Sequence, residues 1–224
     1  MTDHRLPYDS AVATGRGDDG TTGLLFGGAR VPKDDLATEA YGAVDEAVAA
    51  LGLARAELAV MARAGALGTD LAAIGELVLR IQRELFVVGA ELATNPAARD
   101  RARDGVTRVS AAMVEGVDAT LREMEGRITL PNEFVVPGET RLSAALEVSR
   151  TVLRRAERRT VTVALNDPGL ADSRLLPYLT RLADLLWVIA RAAEQAEAVD
   201  ATAARPGART SIQASPASPE RSPT

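Results

Sequence analysis

A single lysine lies in an N-terminal segment that is rich in glycine and hydroxyl residues, and this combination suits a phosphate contact. Lys33 is the only lysine among 26 basic residues, and the other 25 are arginines. It closes residues 14–34, which are rich in glycine, threonine and aspartate. Lysine supplies a compact point charge, whereas arginine supplies a planar fork. The alternative explanation is that one lysine has survived by chance in an arginine-biased composition.

A group of arginines later in the chain could add positive charge to the same site. Arg154, Arg155 and Arg158 carry more charge than the nearby acids can neutralise. Surplus arginine together with a glycine-rich loop suggests a polyphosphate ligand, and a solvated basic face is the competing explanation. The absence of G-x-x-x-x-G-K-[ST] excludes a P-loop, and no G-x-G-x-x-G follows a predicted strand.

Two adjacent acids in the opening have two possible roles. Asp18 and Asp19 could lie near a magnesium ion that bridges phosphates, because magnesium prefers oxygen ligands. Aspartates are also common turn residues. We expect the turn role for at least one of them.

Charged residues also fall on predicted apolar helix faces. At 100° per residue, Arg150 and Glu157 share a side with the buried-type leucines of their helix. Asp45 lies between apolar residues of an earlier helix. A buried charge is very costly unless it is paired. We therefore expect Asp45 to form an ion pair with Arg150. The pair could have a purely structural role in helix packing, or it could belong to a functional site.

Apolar periodicity predicts five helices and almost no strand. The expected ranges are Asp34 or Asp35 to Leu58, Thr69 to Asn95, Arg103 to Met124, Thr140 to Leu165, and from just after Pro168 to Ala198. The fold class expected is all-α, a five-helix bundle preceded by a glycine-rich N-terminal loop. Residues 1–13 are expected to be a flexible leader, 14–198 the domain, and 199–224 a disordered tail rich in Ala, Pro, Ser and Thr.

Composition excludes several classes of protein. The 224 residues are 46% hydrophobic and carry a net charge of −5, which indicates one soluble domain and no general nucleic-acid or anionic-membrane surface. The absence of cysteine excludes disulfides, thiolate catalysis and zinc–thiolate sites. The single histidine, His4, is expected to be solvated, and one histidine cannot build a carboxylate–histidine di-iron bundle. No segment has membrane-spanning length, so the cytoplasm is the expected location.

Five motifs, taken in order and with their spacing, resemble the PduO-type ATP:cob(I)alamin adenosyltransferases over about residues 14–195. They are Gly17–Gly23, Pro32–Asp35 followed by Glu39–Glu46, Phe134–Gly138, Arg154–Arg158 and Tyr178–Trp187. Each motif is weak alone, and together they are specific.

The resemblance implies a homotrimer of five-helix bundles with active sites between adjacent subunits. ATP would lie on the N-terminal loop with Mg²⁺, and the corrinoid would pack beside it. Cob(I)alamin would attack the 5′ carbon of ATP and release triphosphate. An adenosylcobalamin-dependent mutase and a flavin reductase are the protein partners that such an activity suggests.

Site residues follow from the resemblance position by position. The ATP loop corresponds to Thr14, Gly15, Arg16, Gly17, Thr22, Gly23 and Lys33. The nucleotide-binding arginine motif corresponds to Arg154, Arg155, Glu157 and Arg158, and the last motif contributes Thr180. Phe134 corresponds to the aromatic residue that packs under the corrin and keeps the lower ligand off cobalt, and Asp45 with Arg150 to a pair that bridges subunits. Catalysis would depend on Arg154, Phe134, Asp45 and Arg150, whereas no metal ligand is assigned.

Two departures from the family pattern leave other functions open. The chain has Thr14-Gly15-Arg16-Gly17 where Thr-Lys/Arg-Thr-Gly is usual, and Thr180 where asparagine is usual. A catalytically weak corrinoid- and ATP-binding carrier or chaperone for an adenosylcobalamin-dependent enzyme is therefore the second hypothesis, which a triphosphate product would reject. A helical interaction module with vestigial motifs is the third.

Overall fold

Five long helices make up most of the part of the chain, residues 10–205, that the computed structural model describes. They are α1 Leu36–Arg63, α2 Thr69–Leu92, α3 Ala111–Glu125, α4 Arg141–Asn166 and α5 Leu175–Ala196. Short 3₁₀ helices occupy Pro96–Arg101 and Pro168–Leu170. The all-α five-helix fold expected from the sequence is confirmed. Within residues 10–205 no helix is both long and apolar enough to cross a bilayer.

Two very small antiparallel sheets lie outside the bundle. β1 Thr21–Thr22 pairs with β2 Val31–Pro32 inside the N-terminal loop. β3 Val135–Val136 pairs with β4 Thr202–Ala203, which follows α5. The second sheet therefore joins the connector between α3 and α4 to the segment after α5.

Side-chain caps explain where the two helices next to the site begin. The Asp35 carboxylate accepts a hydrogen bond from the Ala37 amide (2.9 Å) at the start of α1. Thr140 and Ser143 form a reciprocal capping box at the start of α4. Both caps satisfy N–H groups that have no partner inside the helix. Each helix thus begins within two residues of the position that the sequence predicts.

The core combines one face of each helix with nearly all of α5. α1 packs against both α4 and α2, and its buried face contains small residues, among them Ala40, Ala43, Ala47 and Ala54. Small side chains let helix axes approach closely. α5 contributes the most buried residues, and the Tyr178 hydroxyl donates to Glu84 Oε2 of α2 (2.6 Å).

The third helix starts later than the sequence predicts. Residues 103–110 are not helical, because the Arg103 carbonyl accepts bonds from several following amides in a turn and Gly105 has φ +74°. α3 begins only after Ser110, whose hydroxyl accepts from the Met113 amide (3.2 Å). The arginine-rich composition of this segment carries helix propensity, but the turn and the cap decide the boundary.

The C-terminal segment also differs from expectation where the structure describes it. Residues 1–9 and 206–224 lie outside the described range, and with them most of the expected leader and tail. The described start of the expected tail contains β4, an ordered strand. Its backbone pairs with β3, a long-range contact that composition cannot reveal.

Candidate functional site

The lysine lies beside the glycine-rich loop, as the sequence predicts. The Lys33 amide donates to the Gly20 carbonyl (2.9 Å), which closes the loop on itself. A Cβ placed on Gly17 would lie 3.0 Å from Lys33 Nζ. The ammonium group therefore extends back over the loop and lies against Gly17. This arrangement presents one positive charge above a turn of backbone amides.

An arginine that the sequence analysis did not select holds the loop in shape. Arg30 Nε donates to Thr21 Oγ1 (2.7 Å). Its Nη2 donates to the carbonyls of Thr21 (2.8 Å) and Arg16 (2.7 Å). The Arg16 side chain is exposed. Arg30 fixes the backbone of the loop and leaves the charge of Arg16 available. Arg30 could have been identified from the sequence as an arginine within a segment rich in threonine and glycine.

The two loop aspartates have different roles. Asp19 Oδ1 accepts from the Thr21 amide (2.9 Å) and from Thr21 Oγ1 (2.7 Å). These bonds, the hydroxyl first, lower the pKa of Asp19. Asp19 is thus a turn residue, as the sequence predicts for at least one of the two aspartates. Asp18 is exposed, and no group of three acids or histidines within residues 10–205 could hold a metal ion.

The second half of the loop is fixed to the end of α2. The Leu25 amide donates to the Ala93 carbonyl (2.7 Å), and Asn95 Nδ2 donates to the Gly27 carbonyl (2.6 Å). Arg101 stacks over the Phe26 ring at 4.5 Å. The first half remains accessible: Thr14, Arg16 and Gly23 are exposed, and Gly15, Gly17 and Thr22 are half-buried. A fixed base with an accessible rim suits ligand binding.

The arginines of α4 divide into paired and free groups. Arg155 forms an ion pair with Glu46 of α1, and Arg159 forms one with Glu39 (3.5 Å). Arg154 and Arg158 are exposed, and neither forms an ion pair with any residue in the described range. The free guanidinium groups are a local positive site on an acidic protein, as a phosphate ligand requires.

Acidic groups of α4 and α5 border these arginines. Thr180 Oγ1 donates to Glu157 Oε1 (2.6 Å), so threonine keeps a polar contact at this position. The pKa of Asp184 is raised by partial desolvation and by the charge of Glu157, whereas Arg154 and Arg150 act in the opposite direction. Glu157, Thr180, Asp184 and Arg154 therefore form one electrostatic cluster. Its member Asp184 was not selected as a site residue from the sequence.

A cleft lies beside the connector that carries Phe134. The Phe134 side chain is 86% exposed, which excludes an ordinary core role. The cleft has a volume of about 560 Å³. Its lining consists of Pro131, Asn132, Glu133, Phe134, Val135, Pro137, Glu147, Arg150, Trp187 and Arg205. An exposed aromatic ring beside an indole and an arginine can receive a large planar ligand.

A buried ionic network reaches this cleft through Glu147 and Arg150. Arg191 is 1% exposed and contacts Glu194 Oε1 (2.8 Å) and Glu147 Oε1 (3.3 Å). Glu147 Oε2 in turn accepts from Arg150 Nε (2.7 Å). Burial raises the pKa of Glu194, against the effect of Arg191. Glu147 and Arg191 were not among the candidate site residues indicated by the sequence. The position of Arg191 within a segment that is mostly apolar could have indicated that its charge is buried and paired.

The expected pair of Asp45 and Arg150 is not formed within the chain. Arg150 bonds Glu147 instead. Asp45 is exposed on α1, because the buried face runs through Val44 and Ala47, and it forms no ion pair in the described part of the chain. The placement of Asp45 on a packing stripe is therefore wrong. Its carboxylate is accessible to a second molecule.

The structure yields three groups of site residues. They are the N-terminal loop with Lys33, the α4–α5 cluster around Arg154, and the Phe134 cleft with Arg150. Within residues 10–205, no hydrogen bond or ion pair joins the loop to the α4 arginines or to the cleft. The cluster and the cleft are linked through Arg150, which acts on Asp184 together with Arg154.

Comparison with known proteins gives a consistent result across nearly the whole described chain. A family model described as cobalamin adenosyltransferase matches residues 12–193. The chain is 35% identical over 187 residues to a corrinoid adenosyltransferase of Citrobacter freundii, covering 82% of this chain and 94% of that protein. It is 36% identical over 187 residues to a cobalamin adenosyltransferase of Cupriavidus metallidurans, covering 84% and 90%.

The fold is shared with a solved structure as well. That structure is a variant of the PduO-type ATP:corrinoid adenosyltransferase from Lactobacillus reuteri, complexed with cobalamin and ATP. The TM-score is 0.67 at 25% identity, over 85% of this chain and 97% of that one.

Proposed function

The chain belongs to the cobalamin adenosyltransferase family, and we propose from this premise how its residues carry out the reaction. It is an ATP:corrinoid adenosyltransferase, which transfers the 5′-deoxyadenosyl group of ATP to the cobalt of cob(I)alamin or a related corrinoid. The cobalt–carbon bond forms as the bond from the 5′ carbon to oxygen breaks. Cobalt supplies the electron pair, and triphosphate leaves with the pair of the broken bond.

ATP binds between the N-terminal loop and the arginines of α4. Lys33 and the loop amides contact the triphosphate, with Thr14, Gly15, Arg16, Gly17, Thr22 and Gly23 forming the rim. Mg²⁺ enters as part of the MgATP substrate and shields charge on the phosphates. Asp18 is the loop carboxylate free to approach it, since Asp19 is committed to the turn.

The observation that carries this assignment is the pair of free guanidinium groups at Arg154 and Arg158. Triphosphate gains charge as the 5′ carbon–oxygen bond breaks. Fixed cations that need no reorganisation stabilise such charge more effectively than water does. Arg155 is already neutralised by Glu46, and it therefore serves mainly to hold α4 against α1. Glu157 and Thr180 orient the neighbouring nucleotide contacts.

The corrinoid occupies the cleft beside Phe134. Cob(I)alamin is already a strong nucleophile, so the protein needs no general base. Its task is to align cobalt with the 5′ carbon, a proximity effect. The exposed Phe134 ring covers the lower face of the corrin and withholds the lower ligand from cobalt. Four-coordinate cob(II)alamin is then easier to reduce, because the withheld ligand favours the oxidised state.

We propose a homotrimer whose active sites lie between adjacent subunits. The exposure of Asp45, which forms no ion pair within the described part of its own chain, supports this arrangement. The exposed Asp45 carboxylate would reach Arg150 of the neighbouring subunit, where Glu147 holds the guanidinium in place. Sedimentation equilibrium should give a trimer, and a monomeric protein with full activity would contradict the proposal.

We also propose that the enzyme acts in the cytoplasm, where ATP and reducing power are available. A flavin reductase would supply the electron that converts cob(II)alamin to cob(I)alamin. An adenosylcobalamin-dependent mutase would consume the product. Pull-down of each purified candidate against this protein, with and without bound adenosylcobalamin, tests these partners directly.

An anaerobic assay tests the central function. Purified protein is mixed with ATP, magnesium and chemically reduced cob(I)alamin, and the visible spectrum is followed. We expect loss of the cob(I)alamin band, growth of a light-sensitive alkylcobalamin spectrum and one triphosphate per cobalamin. Tight binding of ATP and corrinoid without any triphosphate would overturn the assignment.

A further inference from the structure

We propose that the segment Val199–Arg205 is a strap that positions Phe134 under the corrin. The inference rests on the proposed role of Phe134 and adds a second element to it. The family model matches residues 12–193, so the strap lies beyond the matched region. In this proposal the strap contacts no reacting atom and acts only through the connector.

The backbone of Phe134 is held directly by the strap. Val135 lies opposite Ala203, and Val136 lies opposite Thr202. The Ala204 amide donates to the Phe134 carbonyl at 2.7 Å, which extends the pairing by one residue. Two antiparallel strands with this register fix the direction in which alternate side chains point. The strap therefore sets the orientation of the Phe134 side chain.

Further contacts from the same end of the chain hold the part of the connector that precedes Phe134. Gln195 Nε2 donates to the Thr129 carbonyl (2.6 Å), and the Thr129 amide donates to Gln195 Oε1 (3.0 Å). Arg205 lies 3.9 Å from Glu133 and also lines the cleft. The connector is thus attached at its start to α5 and at its centre to the strap.

Phe134 depends on these backbone contacts because packing does not hold it. Its ring is 86% exposed, and the adjoining Val136 is 50% exposed. A functional side chain must be held by supporting contacts if its geometry is to be productive. A two-stranded ribbon of this size is only marginally stable. Removing one strand should therefore release the other without unfolding the bundle.

Two truncated chains separate the strap from the rest of the tail. One ends after Asp200 and lacks β4; the matched control ends after Arg205 and keeps it. Each is loaded with cob(II)alamin and ATP, and the four-coordinate cobalt signal is measured by electron paramagnetic resonance and visible spectroscopy. ATP affinity and thermal unfolding are measured in parallel.

We expect the control to match the full chain in every measurement. The chain ending after Asp200 should lose most of the four-coordinate signal and turn over about tenfold more slowly when started from cob(II)alamin and a reductant, since a misplaced group costs rate steeply. Its ATP affinity should stay unchanged. An undiminished four-coordinate signal in that chain would overturn the proposal.

Proline substitutions provide a second test if the shorter chain does not fold. Ala204→Pro removes the amide that donates to the Phe134 carbonyl and should reproduce the spectroscopic loss. Ala203→Pro is the control, because the alternation of an antiparallel pair leaves the Ala203 amide outside the ladder. Equal signals in the two variants would contradict the strap. A full chain that forms no adenosylcobalamin would instead refute the proposed function.

Discussion

At the residue scale, the two departures from the family pattern keep a charged and a polar side chain at the proposed nucleotide site. Arg30 binds the carbonyl of Arg16 and leaves the side chain of Arg16 exposed. The charge of this loop has therefore moved by one position without being buried. Thr180 donates a hydroxyl to Glu157 and so preserves a polar contact at that position. Both observations favour a working transferase over a catalytically weak carrier.

Arg154→Ala should abolish most of the transfer activity. The substitution removes a free guanidinium from the leaving triphosphate, and loss of one such fixed charge typically lowers kcat by about a hundredfold or more. Steady-state kinetics with ATP and cob(I)alamin measures the effect. Arg159→Ala is the control, because Arg159 lies on the same helix but is paired with Glu39. Comparable turnover in the two variants would refute the role of Arg154.

Phe134→Ala should change the cobalt spectrum without changing stability. The ring is exposed, so its removal creates no cavity in the core and should leave the thermal unfolding temperature unaltered. Without the ring, the lower ligand reaches cobalt, and bound cob(II)alamin in the presence of ATP should show a five-coordinate spectrum. A lowered melting temperature with an unchanged spectrum would indicate a structural residue instead.

At the element scale, α4 is the helix on which the site depends most. It carries Arg150, Arg154 and Glu157, and it packs against both α1 and α5. The packed faces of α1 and α4 set its register relative to α1, and the exposed Arg155–Glu46 pair lies at the edge of this contact. A helix held on two sides presents its exposed charges at fixed positions, which an electrostatic site requires.

Thr140→Ala should weaken the start of α4. The Thr140 hydroxyl accepts from the Ser143 amide (3.0 Å), and removal of an N-cap side chain typically costs about 1 kcal/mol. Urea unfolding at neutral pH measures the loss. Thr151→Ala is the control, since Thr151 lies mid-helix, is exposed and bonds only the Val148 carbonyl. An equal loss of stability in both variants would show that the cap is not the cause.

At the scale of the whole molecule, a few partly buried ion pairs tie the loops to the bundle. Arg99 of the 3₁₀ helix forms a two-bond pair with Asp167, which follows α4. Glu91 at the end of α2 accepts from the Val109 amide (2.6 Å) and the Ser173 hydroxyl (2.6 Å). Burial raises the pKa of Glu91, whereas its hydrogen bonds and the nearby arginines oppose the rise.

Asp167→Asn should remove part of the stability at neutral pH and flatten its acid dependence. The hydrogen bond from Arg99 lowers the pKa of Asp167, so the stabilisation is present above the ordinary value of 3.8 and is lost as the pH falls through the lowered folded value. Breaking the pair should cost about 2 kcal/mol at pH 7. Urea unfolding of wild type and variant is measured from pH 7 downwards. The difference between their free energies of unfolding should stay constant near neutral pH and become smaller below about pH 4.

The control for this experiment is Asp104→Asn. Its pair with Arg108 is exposed on both sides, and such pairs contribute little to stability. The assignment of acid sensitivity to the Arg99–Asp167 pair would be contradicted by either of two results. One is a loss of unfolding free energy in Asp167→Asn that does not depend on pH, and the other is an equal loss in both variants.

The sequence by itself determined most of the helices, the glycine-rich loop and the types of residue that we propose contact phosphate. Helical periodicity and capping residues are local, so α1, α2 and α4 begin near the predicted positions. The lysine and the glycines of the loop lie in one short segment of the sequence, and their contact stays within that segment. The beginnings of α3 and α5 were the exceptions: a turn around Gly105 replaced the first predicted residues of α3, and a short 3₁₀ helix at Pro168–Leu170 precedes α5, which begins at Leu175.

Only the tertiary structure decided which charges are paired, which are free and which are buried. Glu46 neutralises Arg155 but not Arg154, and Glu147 rather than Asp45 bonds Arg150. The strand after α5 pairs with the connector beside Phe134, although its composition predicts disorder. Each outcome depends on contacts between residues distant in sequence, and such contacts are set by how the helices pack. Residue type and spacing along one chain do not carry that information.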